Sequence, residues 1–388
     1  MIIHRLFAIV CAGLLFIAVA GAQTAPLPPA LETSVPNAIL IDARTGNVFY
    51  QKNADELIFP ASMTKLMTAI LVFDALKQGR LTMDQEFLIS ENAWRHGGAP
   101  GGGSTMYAVL NSRVKLSDLL QGMIVQSAND ACIAIAEGMA GSEEAFADLM
   151  TRRARELGLA KATFRNSTGL PDPQHLVTVR ELSILAQYII KTYPEYYKYY
   201  GQREFTWNKI SQKNRNPLLI DYPGADGMKA GYTKDAGYGL VGSAIRDGRR
   251  LVLVVAGARS LDERRLEAQK ILDWGFKQFR PIEIYGANDR VGRARVWGGE
   301  AHWVDLVTPK AIRLMLSPTE QQKVTVDLHY TGPLLAPVKA GAEAGSIQFN
   351  LEGRTVAEFP IETANEIASV SSMWLKAWDS LLYMIFGG

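Results

Sequence analysis

The spacing of apolar positions changes several times along the chain, and the changes divide it into segments. An apolar run from Leu6 to Ala20 follows His4 and Arg5 and ends in Ala20-Gly21-Ala22. A basic start, a short apolar stretch and small residues at its end predict a secretory signal peptide over 1–22. A retained membrane anchor is the competing reading. After a proline-rich spacer over 23–36, residues 38–42 and 47–50 read as two strands turned at Thr45-Gly46. Residues 64–75 form an apolar run suited to a buried helix. Residues 114–120, 131–139, 145–157 and 179–190 repeat at helical spacing. Two β-like segments, 239–244 and 251–258, flank the turn signal Asp247-Gly248, and 264–279 is helical again. Helices gathered against an antiparallel sheet predict an α+β domain over 37–280.

From Pro281 the pattern shortens. Residues 301–307, 311–316, 324–330, 346–351 and 355–361 alternate between apolar and polar, separated by Gly, Pro and Ser. They predict a small β-rich domain over 281–364, about 80 residues long. It contains no nucleophile or metal-ligand cluster, so its expected role is to space the first domain from a surface. In 365–388, Met373, Trp374, Ala377, Trp378, Leu381, Leu382 and Ile385 recur at helical spacing. With Lys376 and Asp379 inside about sixteen residues, this segment is too short and too charged to span a bilayer. An amphipathic helix lying in a membrane interface is the expectation, with both tryptophans at headgroup depth. A terminal helix packed on the β-rich domain is the alternative.

Composition adds limits. The 388 residues are 48% hydrophobic and 21% charged, enough to build two cores, and a net charge of +2 gives no reason to expect a nucleic-acid partner. Removal of a signal peptide would leave Cys132 as the lone cysteine. An exported protein without a disulfide must be held by its core. Cys132 itself reads as a small core residue.

The strongest chemical feature is Ser62-Met63-Thr64-Lys65, following Phe59-Pro60-Ala61. Residues three apart share a helix face, so the Lys65 amine can reach the Ser62 oxygen. A serine hydroxyl needs an adjacent base, and a lysine can serve once burial or nearby positive charge lowers its pKa. Alone, this spacing is common. Downstream, Ser127-Ala128-Asn129 follows an apolar stretch, and Lys229-Ala230-Gly231 follows Asp226-Gly227-Met228. S-x-x-K, S-x-N and a K-T/S-G-like triplet in this order are the set of penicillin-binding proteins and serine β-lactamases. Thr206-Trp207-Asn208, Asn214-Arg215-Asn216, Ala236-Gly237-Tyr238 and Asp273-Trp274-Gly275-Phe276 extend the match. From Ala38 onward the chain resembles the D-alanyl-D-alanine carboxypeptidases, the low-molecular-mass penicillin-binding proteins.

That resemblance implies a penicillin-binding/β-lactamase-like catalytic domain and a serine-type hydrolase acting on peptidoglycan stem peptides. Ser62 would attack the carbonyl between two terminal D-alanines, Lys65 would take its proton, and Ser127 would relay a proton to the departing nitrogen. Asn129 would hold the Lys65 amine and the substrate amide. The backbone N–H groups of Ser62 and Tyr232 would form an oxyanion hole. Lys229, Gly231, Tyr232, Thr233, Arg264 and Arg215 would bind substrate, the arginines through its terminal carboxylate. β-Lactams would acylate the same serine. The resemblance requires neither metal nor organic cofactor, and it places the protein outside the cytoplasmic membrane, peripherally anchored.

Ala230 departs from the family pattern, where a Thr or Ser hydroxyl contacts the substrate carboxylate. Losing one charge-assisted bond costs roughly 1.5–3 kcal/mol unless the hydroxyls of Tyr232 or Thr233 replace it. A β-lactamase is a rival, but no Glu-x-x-Leu-Asn stretch lies between Ser127 and Lys229 to activate a deacylating water. Endopeptidase action on crosslinks and a catalytically silent wall-binding protein also stay open. The glycine-rich stretch 97–104 lacks a phosphate-loop ending and reads as a mobile loop near the cleft. His96, His175, His302 and His329 show no metal-ligand spacing, and the tyrosines of 193–200 read as packing across a helix end.

Overall fold

The computed structural model describes residues 31–372 except 317 and 352, together with 374 and 377. The signal peptide expected over 1–22 lies outside the described residues, as does most of the amphipathic segment over 365–388. Five strands form the central antiparallel sheet: β1 (Asn37–Asp42), β2 (Val48–Lys52), β3 (Ala225–Thr233), β4 (Gly237–Arg246) and β5 (Arg249–Ala258). Their order is β2-β1-β5-β4-β3. The middle strands read as unbroken apolar runs because both of their faces are covered. Along β5, Leu251, Leu253 and Val255 enter one core, while Val252, Val254 and Ala256 enter the other. The period of two thus feeds two cores from one strand.

The larger core holds helices α1 (Lys65–Lys77), α2 (Asn129–Ala140), α3 (Glu143–Glu156) and α4 (Val179–Thr192). Helix α4 begins with a reciprocal cap between Thr178 and Glu181. The smaller core lies under α5 (Leu261–Gln278), capped by Ser260. Val35 is fully buried in it, and Thr33 Oγ1 donates to Glu267 at 2.6 Å. The end of the proline-rich spacer is therefore packed onto the domain.

One expectation needs correction, and one strand had no expectation. Residues 114–120 are not helical throughout: Arg113–Lys115 is a strand, and the helix starts at Leu116. Val114 pairs with Phe87 in a small ribbon and both are buried, which the alternating Arg-Val-Lys allows. Strand β3 was invisible as a strand because Gly, Asp and Lys interrupt any alternation, and among the described residues it lies at the sheet edge, paired with β4 alone. Beyond Gln278 the chain is β-rich, as expected. A six-stranded sheet and a two-stranded ribbon, Arg280–Tyr285 with Ile312–Leu316, enclose a third core. Among the described residues, no helix is long and apolar enough to cross a membrane.

Candidate active site

Ser62 lies in a short 3-10 turn, Ala61–Thr64, that leads into α1. Side chains at i and i+3 eclipse in such a turn, so Ser62 and Lys65 align more closely than on the α-helix expected from sequence. Ala61 enters the turn at φ 47°, a left-handed conformation costing on the order of 1–3 kcal/mol for a non-glycine residue. Lys65 opens α1 and is 1% exposed. Its Nζ lies 2.9 Å from Ser62 Oγ and donates to Asn129 Oδ1 at 2.8 Å and Thr168 O at 2.7 Å. Burial holds the amine below the ordinary lysine range, partly opposed by Cys132, Glu143 and Asp130.

Asn129 reaches this point because the chain changes direction just before it. A π-helical turn, Gly122–Gln126, ends at Ser127 with φ 66°. Helix α2 starts two residues later. Asp130, buried beside Asn129, accepts from Thr105 Oγ1 at 2.6 Å and from the N–H groups of Met106 and Ala108, both at 3.1 Å. These bonds pin the 105–108 segment to the start of α2. Ser127 Oγ is buried and has no hydrogen-bond partner in the protein. Cys132 is fully buried, its thiol donates to Ala128 O at 3.2 Å, and burial pushes its pKa up to about 12. It is an inert core residue.

Edge strand β3 forms the opposite wall. Lys229 is 2% exposed and its Nζ donates to Ala230 O at 3.3 Å. Burial lowers its pKa well below the lysine value, and the charge of Lys65 lowers it further. Gly231 lets the strand close on the nucleophile turn. A Cβ there would stand 3.0 Å from Ser62 N and 3.1 Å from Pro60 O. Tyr232 is half-exposed and stacks on Tyr238, with ring centroids 4.2 Å apart. Thr233 Oγ1 accepts from Ala236 N at 3.1 Å, which leaves its proton free to donate. Ala230 is 4% exposed and belongs to the smaller core while touching the cleft.

Arg264 reaches the cleft from α5. It is buried, with long contacts from Nη1 to Gly231 O at 3.5 Å and Gly239 O at 3.4 Å, and its Nε has no partner. Burial brings its pKa down to about 10. Arg215 is exposed at the rim, and its charge also acts on Lys229. An open cleft of about 520 Å³ is lined by Ser62, Ser127, Asn129, Gly231, Tyr232 and Arg264, among others. Every candidate from the sequence lines it or adjoins it. Gly102, Gly103 and Ser104 also line it, so the glycine-rich stretch does lie beside the cleft.

Thr168 and Gly169 were missed. Asn166 Oδ1 accepts from Thr168 N at 3.2 Å and from Gly169 N at 2.7 Å, a turn that aims the Thr168 carbonyl at Lys65. The signal was an Asn three residues before a Gly, which is a turn signature and not a chemical one. Gly169 has φ +83°, and a Cβ there would stand 1.8 Å from Ala61 O. Gly169→Ala should lower stability by about 1–3 kcal/mol and slow acylation of Ser62. A thermal melt and a penicillin-labelling time course check both effects, and unchanged values refute the role. His175 is likewise a structural residue: it is buried, with Nε2 2.9 Å from Thr64 Oγ1, and burial lowers its pKa to about 4.

A serine held against a buried lysine, inside a cleft with further cations, is the arrangement a serine hydrolase with an amine base requires. Comparison with known proteins makes this specific. Residues 22–260 match the family model described as D-alanyl-D-alanine carboxypeptidase, and 279–369 match the C-terminal domain of penicillin-binding protein 5. The chain is 36% identical over 347 residues to D-alanyl-D-alanine carboxypeptidase DacC of Escherichia coli, covering 89% of this chain and 86% of the relative. It is 34% identical over 337 residues to DacF of Bacillus subtilis, covering 85% of each. Among solved structures, penicillin-binding protein 5 of Haemophilus influenzae superposes with TM-score 0.70 at 33% identity, over 89% of this chain and 100% of that one. DacD of Francisella tularensis superposes with TM-score 0.72 at 29% identity, over 92% and 100%. The chain belongs to the D-alanyl-D-alanine carboxypeptidase family of penicillin-binding proteins.

Proposed function

We propose that this protein removes the terminal D-alanine from peptidoglycan stem peptides through an acyl-enzyme on Ser62, and that β-lactams trap the same serine. The observation that carries this reading is the 2.9 Å contact between Ser62 Oγ and the buried Lys65 amine. A neutral lysine has two N–H groups and one lone pair. Asn129 Oδ1 and Thr168 O accept the two N–H groups, which turns the lone pair toward the Ser62 hydroxyl. Lys65 then takes the hydroxyl proton as Ser62 attacks. Ser127, whose buried hydroxyl has no protein partner, carries a proton to the departing D-alanine nitrogen. The N–H groups of Ser62 and Tyr232 hold the oxyanion, each donor contributing about 3 kcal/mol in the transition state. Arg264, under-served with partners, together with Lys229 and Arg215, attracts the terminal carboxylate. The free edge of β3 lets the extended peptide add as a further strand. Water then releases the shortened peptide.

D-Alanine release from a pentapeptide by purified protein tests the reading, and cleavage of crosslinked dimers alone would overturn it in favour of an endopeptidase. Export and a peripheral hold on the membrane by the C-terminal segment belong to the same proposal, supported by Trp374 at 86% exposure. Truncation before Val370 should free the protein from membrane fractions while D-alanine release continues. A truncated form that still sediments with membranes removes the anchor from the proposal.

A further inference from the structure

Glu143 opens α3, just past the cap Ser142, and its carboxylate finds its partners outside the helix. Its Oε1 accepts from the Ser167 hydroxyl at 2.6 Å and from the Ser167 N–H at 3.0 Å. Ser167 is fully buried, and its carbonyl accepts from Thr68 Oγ1 of α1 at 2.7 Å. Two helices thus grip one residue. The next residue is Thr168, whose carbonyl accepts from the Lys65 amine at 2.7 Å. A shift of Ser167 would carry that carbonyl with it, because the peptide joining them is rigid.

Glu143 also acts through space on Lys65, favouring its charged form. The other titratable groups facing the amine are Asp130 and Cys132 on α2, Lys229 on β3, and His175. Asp130 already accepts from Thr105, Met106 and Ala108. Cys132, with its pKa pushed up to about 12, and His175, with its pKa lowered to about 4, are uncharged at neutral pH. Any positive charge on Lys229 opposes an ammonium at Lys65. In acylation Ser62 Oγ bonds to the substrate carbonyl carbon, the carbonyl π pair moves to its oxygen, and the Ser62 proton passes to Lys65 Nζ. A buried ammonium then stands where a neutral amine stood, and a nearby carboxylate favours it.

We propose that Glu143 is a positioning residue for acylation: through Ser167 it fixes the Thr168 carbonyl that holds the Lys65 amine, and its charge steadies the ammonium formed as Ser62 attacks. The proposal rests on the carboxypeptidase reading, and the two can fail separately. Glu143→Gln keeps an acceptor for Ser167 and removes the charge. Lys65 then gives up its proton at lower pH, so the midpoint of penicillin acylation against pH should fall by about half a unit to one unit. The limiting rate should fall about two- to tenfold, because the base is weaker. Ser167→Ala removes the hydroxyl bond but keeps the charge, so the rate should fall about two- to tenfold with the midpoint unmoved. Glu144→Gln makes the same charge change at the same helix start, on an exposed side chain, and should leave both values unchanged. An unmoved midpoint in Glu143→Gln, or an equal shift in Glu144→Gln, overturns the proposal. If circular dichroism shows Glu143→Gln unfolded, Ser167→Ala decides, and an unchanged acylation rate there overturns the proposal. NMR titration of the Lys65 amine in lysine-labelled Ser62→Ala protein, with and without Glu143→Gln, should show the same downward movement. If penicillin leaves the unaltered protein unlabelled, the carboxypeptidase reading fails. The amine titration then decides alone, and one that stays in place removes Glu143 from the site.

Discussion

Ser62→Ala should abolish covalent labelling by a fluorescent penicillin and lower D-alanine release on the order of 10⁴-fold or more, in the range seen when a hydrolase loses its nucleophile. The loss is large because the Ser62 hydroxyl is the one held against the Lys65 amine, at 2.9 Å. Cys132, the nearest thiol in sequence to the Ser127 turn, is fully buried and its pKa is raised to about 12. It supplies almost no thiolate at neutral pH. Mass spectrometry of the penicillin-treated protein should place the adduct on the peptide containing Ser62. An adduct elsewhere, or labelling of Ser62→Ala protein, would falsify the assignment of the nucleophile.

The second large effect belongs to Lys65. Lys65→Met should slow acylation by about 10²–10⁴-fold, the usual share of general-base catalysis. The pH dependence separates a base from a mere charge. A base acts without its proton, so acylation should rise with pH as Lys65 deprotonates. Burial lowers its pKa, so this rise should fall below the ordinary lysine range, and in Lys65→Met it should vanish. Lys65→Arg keeps the positive charge but has no accessible neutral form, and should be as slow as Lys65→Met. An active arginine variant would show that charge alone suffices.

Much of this was readable along the chain. The unbroken apolar run of 251–258 after the Asp247-Gly248 turn signal and the apolar run of 64–75 are set by local burial, so they marked a strand and a helix directly. Three short motifs named the reactive groups because their residue types carry the chemistry whatever the fold. Thr168 escaped notice because it contributes a backbone carbonyl, which every residue possesses. Strand β3 escaped because an edge position on a ligand groove frees it from alternation. The same freedom admits Lys229 and Gly231. The helical reading of 114–120 failed because Val114 answers to Phe87, a partner far away in sequence.

Residue order alone determined which groups could react, Ser62 and Lys65 above all, and where the chain passes from helical to β-rich structure. Tertiary structure decided that the Lys65 amine meets Ser62 Oγ, Asn129 Oδ1 and Thr168 O at once. It also decided that Lys229 and Arg264 are buried with few partners. Both outcomes depend on desolvation and on contacts between segments as distant as Lys65 and Thr168. Such contacts exist only once the sheet and the helices have closed around them.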